Sequence, residues 1–238
     1  MPLGWYIGGI PSTIKKLIII GLMDKEAVFQ ELRRKIFQKK LSPGQWLVER
    51  DISGTYKISR TPVREILRRL SVEGLVTLEP SKGYMVKQLN LEEIVEIFQA
   101  REAIEGMASR LACLRGEENF FLLVQQLKAQ LEEIKINEQA DCVLSVKIGR
   151  QLHEAIIEAS NNSVIFEFYQ KLKNLAALTR NITEKSIEIE AASKRSHIAI
   201  ARTLLERNEI ESEKLMREHL NNTCRLLVQS HLIDRAGL

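Results

Sequence analysis

The spacing of apolar residues predicts a mainly helical chain, with a little β structure confined to its first third. Residues 24–39 carry apolar side chains at every third or fourth position, which is the period of a helix with one buried face. The short apolar run 46–48 indicates a small strand, and residues 49–55 indicate a second helix. A Ser-Pro-Gly turn at 42–44 separates the first helix from that strand.

A third helix and a hairpin follow. Thr61 is a good N-cap and Pro62 suits the first helical position, so we expect the helix to begin there. Its predicted buried stripe is Val63, Ile66, Leu67 and Leu70. Residues 75–78 and 84–87 indicate two strands joined by a polar connection. Three helices followed by a hairpin wing predict a winged helix-turn-helix.

From Asn90 onward the pattern is helical throughout. Asn90 is a good N-cap, and Glu93 three residues later completes a capping box. Helices are predicted over 91–114, 118–137, 142–160, 163–181, 185–207 and 209–233. This predicts an antiparallel all-α bundle of six to seven helices.

We therefore divide the chain into an extension at 1–22, a winged helix-turn-helix domain at 23–88 and a helical domain at 89–238. The extension is expected to be poorly ordered, and its apolar run 17–22 is too short to cross a membrane. The three cysteines are few and far apart, which favours free thiols and a cytoplasmic location.

Charge is distributed unevenly between the two domains. Residues 24–90 hold 14 Lys and Arg against 8 Asp and Glu, whereas residues 91–238 hold 19 against 23. A basic first domain joined to a mildly acidic second one is typical of a polyanion-binding module tethered to a different unit.

One face of the third helix has the chemistry of a DNA-reading surface. Arg60 and Arg64 lie four residues apart, roughly opposite the apolar stripe. A guanidinium can bond both acceptors of guanine in the major groove, or it can neutralise a phosphate. A solvated basic face is the alternative for these arginines alone, but the neighbouring turn and wing favour DNA reading.

Other side chains extend this predicted surface. Ser59 and Thr61 at the helix start suit phosphate oxygens. Arg50 begins the second helix, where it can reach the DNA backbone or a base. Lys82 and Gly83 lie at the tip of the wing, which can enter the minor groove.

These residues also resemble a known family. The runs 41–49, 58–66 and 70–76, with Ser-Arg-Thr-Pro-Val-Arg at 59–64, are similar to the DNA-binding domain of GntR-family bacterial transcription regulators. The resemblance implies operator contacts from Arg50, Ser59, Arg60, Thr61, Arg64 and Gly83. We expect a homodimer that presents two such domains to a two-fold, double-stranded DNA operator.

Three of the four histidines lie on separate predicted helices of the second domain, each beside an apolar stripe. His153, His197 and His219 can therefore converge, and three imidazole nitrogens suit a zinc-like divalent metal. From the residues alone, hydrogen-bonded core histidines are the alternative.

The second domain resembles the FCD ligand-binding domain of the FadR-type branch, over segments 152–162, 196–200 and 216–220. This resemblance implies that the three histidines and an acidic residue hold a divalent metal at the floor of an effector pocket. Gly149 stands at the expected acidic position, four residues before the first histidine. Either water or the effector completes the site, or the metal affinity is low.

Arg101 and Glu105 also match this branch. Arg101 is a candidate for gripping the carboxylate of a small organic acid through two parallel hydrogen bonds. A plain i, i+4 Arg–Glu surface pair has the same spacing and is the alternative. Arg180 is a further pocket candidate, so the predicted effector residues are Arg101, Glu105 and Arg180.

The leading interpretation is a transcription regulator whose operator affinity is controlled by an effector, and not an enzyme. A three-histidine metal-dependent hydrolase would need a general base beside the metal. Glu154 directly follows His153, and Glu218 directly precedes His219. Adjacent residues of a helix point about 100° apart, so neither glutamate points where its neighbouring histidine does. The third interpretation, a DNA-binding protein without an effector, predicts no pocket in the bundle.

Overall fold

Two units, Met1–Gln88 and Leu89–Leu238, make up the fold of this chain in the computed structural model. The structure describes the backbone of residues 25–183 and 186–236 and the side chains of 25–179 and 186–230. The predicted fold class, a winged helix-turn-helix and a helical domain, is confirmed. The extension at 1–22 lies outside the described residues.

The N-terminal unit consists of helices packed against a small sheet. Its elements are α1 (Lys25–Phe37), β1 (Trp46–Leu47), α2 (Glu49–Tyr56), α3 (Arg60–Val72), β2 (Val76–Glu79) and β3 (Gly83–Val86). The strands are antiparallel in the order β1-β3-β2, so the predicted small strand joins the wing hairpin as a third strand. The predicted stripe of α3 is completely buried, which fixes the opposite, basic face toward solvent.

Helix α3 begins earlier than predicted. Ser59 is its N-cap and Arg60 its first residue, so the prediction that Thr61 caps the helix and Pro62 opens it is wrong. The N–H groups of the first turn have no intrahelical acceptor, and proline is therefore tolerated at its third position as well as its first. The sequence signal for the start of this helix was correct only to within two residues.

The C-terminal unit has a helix at each of the six predicted places, although the second ends at Glu133 and not at 137, and the third begins at Gln139 and not at 142. The helices are α4 (Leu91–Arg115), α5 (Glu118–Glu133), α6 (Gln139–Ala159), α7 (Ser163–Thr183), α8 (Ile187–Leu205) and α9 (Glu209–Ala236). The capping box at the start of α4 is present, with the Glu93 N–H donating to Asn90 Oδ1 at 2.8 Å and the Asn90 N–H to Glu93 Oε2 at 3.0 Å.

Helix α4 is the central element of this unit. It packs most extensively against α9 and also against α6, α7 and α8. Because it is surrounded by other helices, it buries even polar residues such as Glu105 and Ser109. Over the described ranges, none of the helices is both long and apolar enough to cross a bilayer. Cys113, Cys142 and Cys224 are free thiols, as expected.

Candidate functional site

The predicted DNA-reading residues lie on the surface of the N-terminal unit. Arg50, Ser59, Arg60, Thr61 and Arg64 are all exposed, and they lie at the start of α2 or in the first turns of α3. The positive end of the α3 dipole and its free backbone N–H groups add to the attraction for a phosphate. The fold therefore brings these five residues to neighbouring positions at two helix starts.

The arginines of this unit differ in what they contact. Arg64 donates through Nε to both carboxylate oxygens of Glu49, at 2.8 and 3.0 Å, while its side chain stays 66% exposed. Arg69 instead lies over the Phe29 ring, 3.7 Å from its centroid, and pairs with Glu26. Arg64 is thus held in place but accessible, whereas Arg69 ties α3 to α1.

The wing tip is a tight turn between β2 and β3. Ser81 and Gly83 both have positive φ angles, of 63° and 103°, and the Lys82 N–H donates to the Glu79 carbonyl at 3.1 Å. Gly83 suits this conformation because it lacks a Cβ. The turn leaves the Lys82 side chain exposed at the end of the hairpin.

His153, His197 and His219 converge in the C-terminal unit. They come from α6, α8 and α9, each is 5% exposed, and one nitrogen of each lies within 4.8 Å of the others. The two Nε2 atoms of His153 and His197 are 3.1 Å apart. This places three potential nitrogen ligands around one point in the interior of the domain.

A buried chain of charges orients the first of these histidines. Glu105 Oε1 accepts a hydrogen bond from Arg101 Nε at 2.6 Å, and Glu105 Oε2 lies 2.5 Å from His153 Nδ1. Burial alone would raise the pKa of Glu105, but the charges on Arg101 and His153 lower it to about 2. An ionised carboxylate can only accept, so His153 Nδ1 carries the proton and its Nε2, which lies 3.1 Å from His197 Nε2, presents the lone pair that a metal would use.

The other two histidines are neutral. Burial, followed by the charge on His153, lowers the pKa of His197 well below its usual 6.5. Burial, followed by the neighbouring His197 and His153, does the same for His219. Their Nδ1 atoms are buried and have no hydrogen-bond partner in the part of the chain that the structure describes. Neutral imidazoles with unsatisfied nitrogens are the form in which histidine binds metals.

Gly149 lies directly against the His197 ring. A Cβ at position 149 would come within 2.4 Å of His197 Cε1 and 2.7 Å of its Nδ1. The place that a longer side chain would need is therefore taken by an imidazole. The glycine is a condition for this arrangement of the histidines, which the sequence alone did not reveal.

A cavity of about 60 Å³ opens beside the histidines. It has room for about four water-sized groups. Arg101 and the three histidines line it together with Glu190, Ser193 and Thr223. Arg101 uses only its Nε toward Glu105, and the side chain of Arg180 lies outside the described residues.

Comparison with known proteins assigns both units to described families. Residues 96–222, more than half of the chain, match the FCD domain family, and residues 24–86 match the bacterial regulatory proteins of the gntR family. The chain belongs to the GntR family of transcription regulators and carries an FCD domain. The resemblance inferred from the sequence motifs is thereby confirmed.

Relatives of this GntR-family regulator align with it over most of their length. The transcriptional repressor GlaR of Escherichia coli is 27% identical over 81% of this chain and 90% of its own length. The uncharacterised regulator YdhC of Bacillus subtilis is 21% identical over 87% of this chain and 91% of its own length. A GntR regulator from Rhodococcus has the same fold, with a TM-score of 0.69, 20% identity and coverage of 86% of this chain and 97% of its own.

Sequence reasoning missed Glu190 in the FCD domain. This residue of α8 is 2% exposed, lines the cavity and accepts a hydrogen bond from Ser145 Oγ at 2.5 Å. It lies seven residues before His197 and so on the same helix face. That spacing was the available signal, but the charged stretch around it is typical of a solvated helix start.

Proposed function

We propose that this GntR-family regulator binds a two-fold operator as a homodimer and that a small organic acid in the FCD cavity controls its affinity for DNA. The observation that carries the proposal is the cavity at the three histidines, which is also lined by Arg101. The relative GlaR is named a repressor, and we take repression as the sign of regulation.

The proposed DNA contacts are those of the exposed residues on α2, α3 and the wing. Arg60 and Arg64 are placed to read base edges in the major groove. Ser59, Thr61 and Arg50 are placed for phosphates. The ion pair between Arg64 and Glu49 keeps the guanidinium extended across the start of α2 before DNA is bound.

The proposed effector contact is made by the two terminal nitrogens of the Arg101 guanidinium. Its Nε is engaged by Glu105, but the two terminal nitrogens retain four N–H groups that can grip a carboxylate. The side chain is only 11% exposed and lies beside Phe98, so water competes weakly with such a ligand. Glu105 is then a positioning residue, which holds both Arg101 and His153.

The histidine cluster fits a divalent metal. Buried His153, His197 and His219 offer three nitrogens, His197 and His219 are neutral, and His153 is oriented by a carboxylate. A zinc-like ion held there would act as a Lewis acid that anchors one oxygen of the effector carboxylate. The same residues give no support to hydrolysis, because the carboxylate beside His153 is ionised, salt-bridged to Arg101 and committed to the Nδ1 side of the ring.

Selection of operator DNA from a random pool tests the DNA part of the proposal. The purified protein should enrich a short two-fold site, and the double variant Arg60→Ala, Arg64→Ala should lose it while remaining folded. Lys87→Ala, which removes one positive charge just after β3 in the same unit, is the control and should leave the site preference unchanged. No enrichment by the folded wild-type dimer at low salt would refute sequence-specific binding.

The selected site then tests the effector part. Small carboxylic acids are titrated into the complex of the protein and its fluorescent operator, and the anisotropy reports release. We expect at least one acid to release the DNA from the wild type and not from Arg101→Met. Release that is unaffected by Arg101→Met would refute the assignment of the carboxylate site.

A further inference from the structure

A second cavity, the α8–α9 cleft, opens between α8 and α9 next to the histidine cavity. Its volume is about 290 Å³, against about 60 Å³ for the histidine cavity. Ser193, His219 and Thr223 line both cavities and therefore form the wall between them. The cleft is thus large enough for a small ligand of its own.

The charged side chains that line this cleft are both arginines, Arg195 from α8 and Arg225 from α9. Within the described part of the chain, Arg195 has no hydrogen-bond or ion-pair partner, and Arg225 has only Asn222, whose Oδ1 accepts from Arg225 Nη2 at 3.3 Å. Arg217, eight residues before Arg225 on the same helix, is by contrast paired with Glu213. Two guanidinium groups without a carboxylate partner at one cavity favour an anionic ligand.

The flanking carboxylates leave this positive charge in place. Glu188 and Glu218 lie seven residues before Arg195 and Arg225 respectively, on the same helix faces, but neither lines the cleft. Two helical turns separate each glutamate from its arginine by about 10 Å. Both glutamates are exposed, and at physiological salt the Debye length of about 8 Å screens most of their effect on the arginines.

The wall of the cleft joins it to the histidine cluster. Arg195 lies two residues before His197 on α8, and Arg225 lies six residues after His219 on α9. Each helix therefore carries one arginine of the cleft and one histidine of the cluster. An anion held by both arginines would bridge the two helices and so restrain the positions of His197 and His219.

We propose that the α8–α9 cleft is a second ligand site of the FCD domain, which binds a small anion of two or more negative charges, either a phosphate group or a polycarboxylate. Arg195 and Arg225 bind the anion from the two helices, and the Ser193 hydroxyl lies in the wall of the same cleft. A multivalent anion is required because a singly charged one can neutralise only one of the two arginines. This site is separate from the one at Arg101 and does not depend on the effector proposed there.

Calorimetric titration of the metal-free full chain tests the site, with sulfate, tricarballylate and acetate at constant ionic strength. Sulfate stands for a phosphate group, tricarballylate for a polycarboxylate and acetate for a singly charged acid. We expect sulfate, tricarballylate or both to bind, at least tenfold more tightly than acetate, and the one that binds identifies the class of ligand. Binding of neither, or equal binding of all three, would overturn the proposal.

Variants locate the binding. Arg195→Gln and Arg225→Gln should each weaken binding of the multivalent anion about tenfold or more, because each removes hydrogen bonds between charged groups. Both residues are exposed, so the melting temperature should stay the same. Arg202→Gln, also exposed on α8 but outside the cleft, is the matched control and should change nothing. Binding that survives the double variant Arg195→Gln, Arg225→Gln would overturn the assignment.

The link to the histidine cluster has its own measurement. Competition of a chelator for Zn²⁺ is recorded with and without saturating sulfate, which should raise the Zn²⁺ affinity of the wild type and not that of the double variant, because restraining His197 and His219 lowers the cost of ordering them. An equal effect in both proteins would overturn the link and leave the anion site standing. If the wild type binds no Zn²⁺, the proposed metal site is refuted, and the link with it.

Discussion

Substitution of Gly149 tests the most specific feature of the histidine cluster. An alanine Cβ would come within 2.4 Å of His197 Cε1, far inside van der Waals contact. Alanine in place of glycine in a helix interior contributes about 1 kcal/mol of stability. Overpacking of a buried site costs about 1–3 kcal/mol. We therefore expect Gly149→Ala to lower the free energy of unfolding by up to about 2 kcal/mol, which is a fall in Tm of several °C.

The same overlap decides what an acidic residue would do here. The pattern of the FCD branch suggests that Gly149→Asp would restore a metal ligand and raise metal affinity. The structure predicts the opposite, because the aspartate Cβ would displace the ring of His197, which is one of the three proposed ligands. We expect Gly149→Asp to bind Zn²⁺ more weakly than the wild type and to melt at a lower temperature.

Calorimetric melting and competition of a chelator for Zn²⁺ are the measurements, and Gly54→Ala is the control. Gly54 lies in the interior of α2, where an added Cβ meets nothing within 4 Å. Gly54→Ala should therefore stabilise its own unit by about 1 kcal/mol. An unchanged Tm together with tighter Zn²⁺ binding by Gly149→Asp would refute the argument, because it would mean that His197 does not occupy this place.

Three further substitutions distinguish residues that contact DNA from residues that hold another side chain or helix in place. Lys82→Ala should weaken binding to all DNA sequences alike and reduce the slope of log K against log salt by about 0.9, measured by anisotropy at several salt concentrations. Glu105→Gln should lower Zn²⁺ affinity about 10–100-fold in the chelator assay, since His153 loses the carboxylate that orients it; an unchanged affinity would contradict this. Arg69→Ala should lower the Tm of the N-terminal unit by removing its contact with Phe29 while the selected operator stays the same, and a changed operator would show that Arg69 reads DNA.

The sequence predicted the parts of this protein that depend on local rules. The capping box at Asn90 and the buried stripe of α3 are set by residues three and four positions apart, and both are present. The start of α3 was misplaced because proline is compatible with more than one position in the first turn. Local signals of this kind fix an element and leave its end uncertain by a residue or two.

The features that the sequence did not reveal depend on pairs that are distant in the chain. Glu105 and His153 are 48 residues apart, and Ser145 and Glu190 are 45 residues apart. The convergence of the histidines could be suspected from their apolar neighbours. That Gly149 lies against His197, however, follows only from how α6 packs on α8. Tertiary packing decided which polar residues became buried, and periodicity does not report it.

The arrangement of Arg101, Glu105 and His153 also determines the sign of coupling between a metal and an acid. Glu105 engages only the Nε of Arg101, so a carboxylate at the terminal nitrogens does not compete with the hydrogen bond that orients His153. The proposed acid and the proposed metal would therefore not exclude each other, and each would add a charge opposite to that of the other. Because linkage is reciprocal, an acid that binds more tightly with Zn²⁺ must raise the affinity for Zn²⁺ by the same factor. Titration of Zn²⁺ with and without a saturating acid measures this factor, and a value below one would show that the two ligands compete for the same atoms.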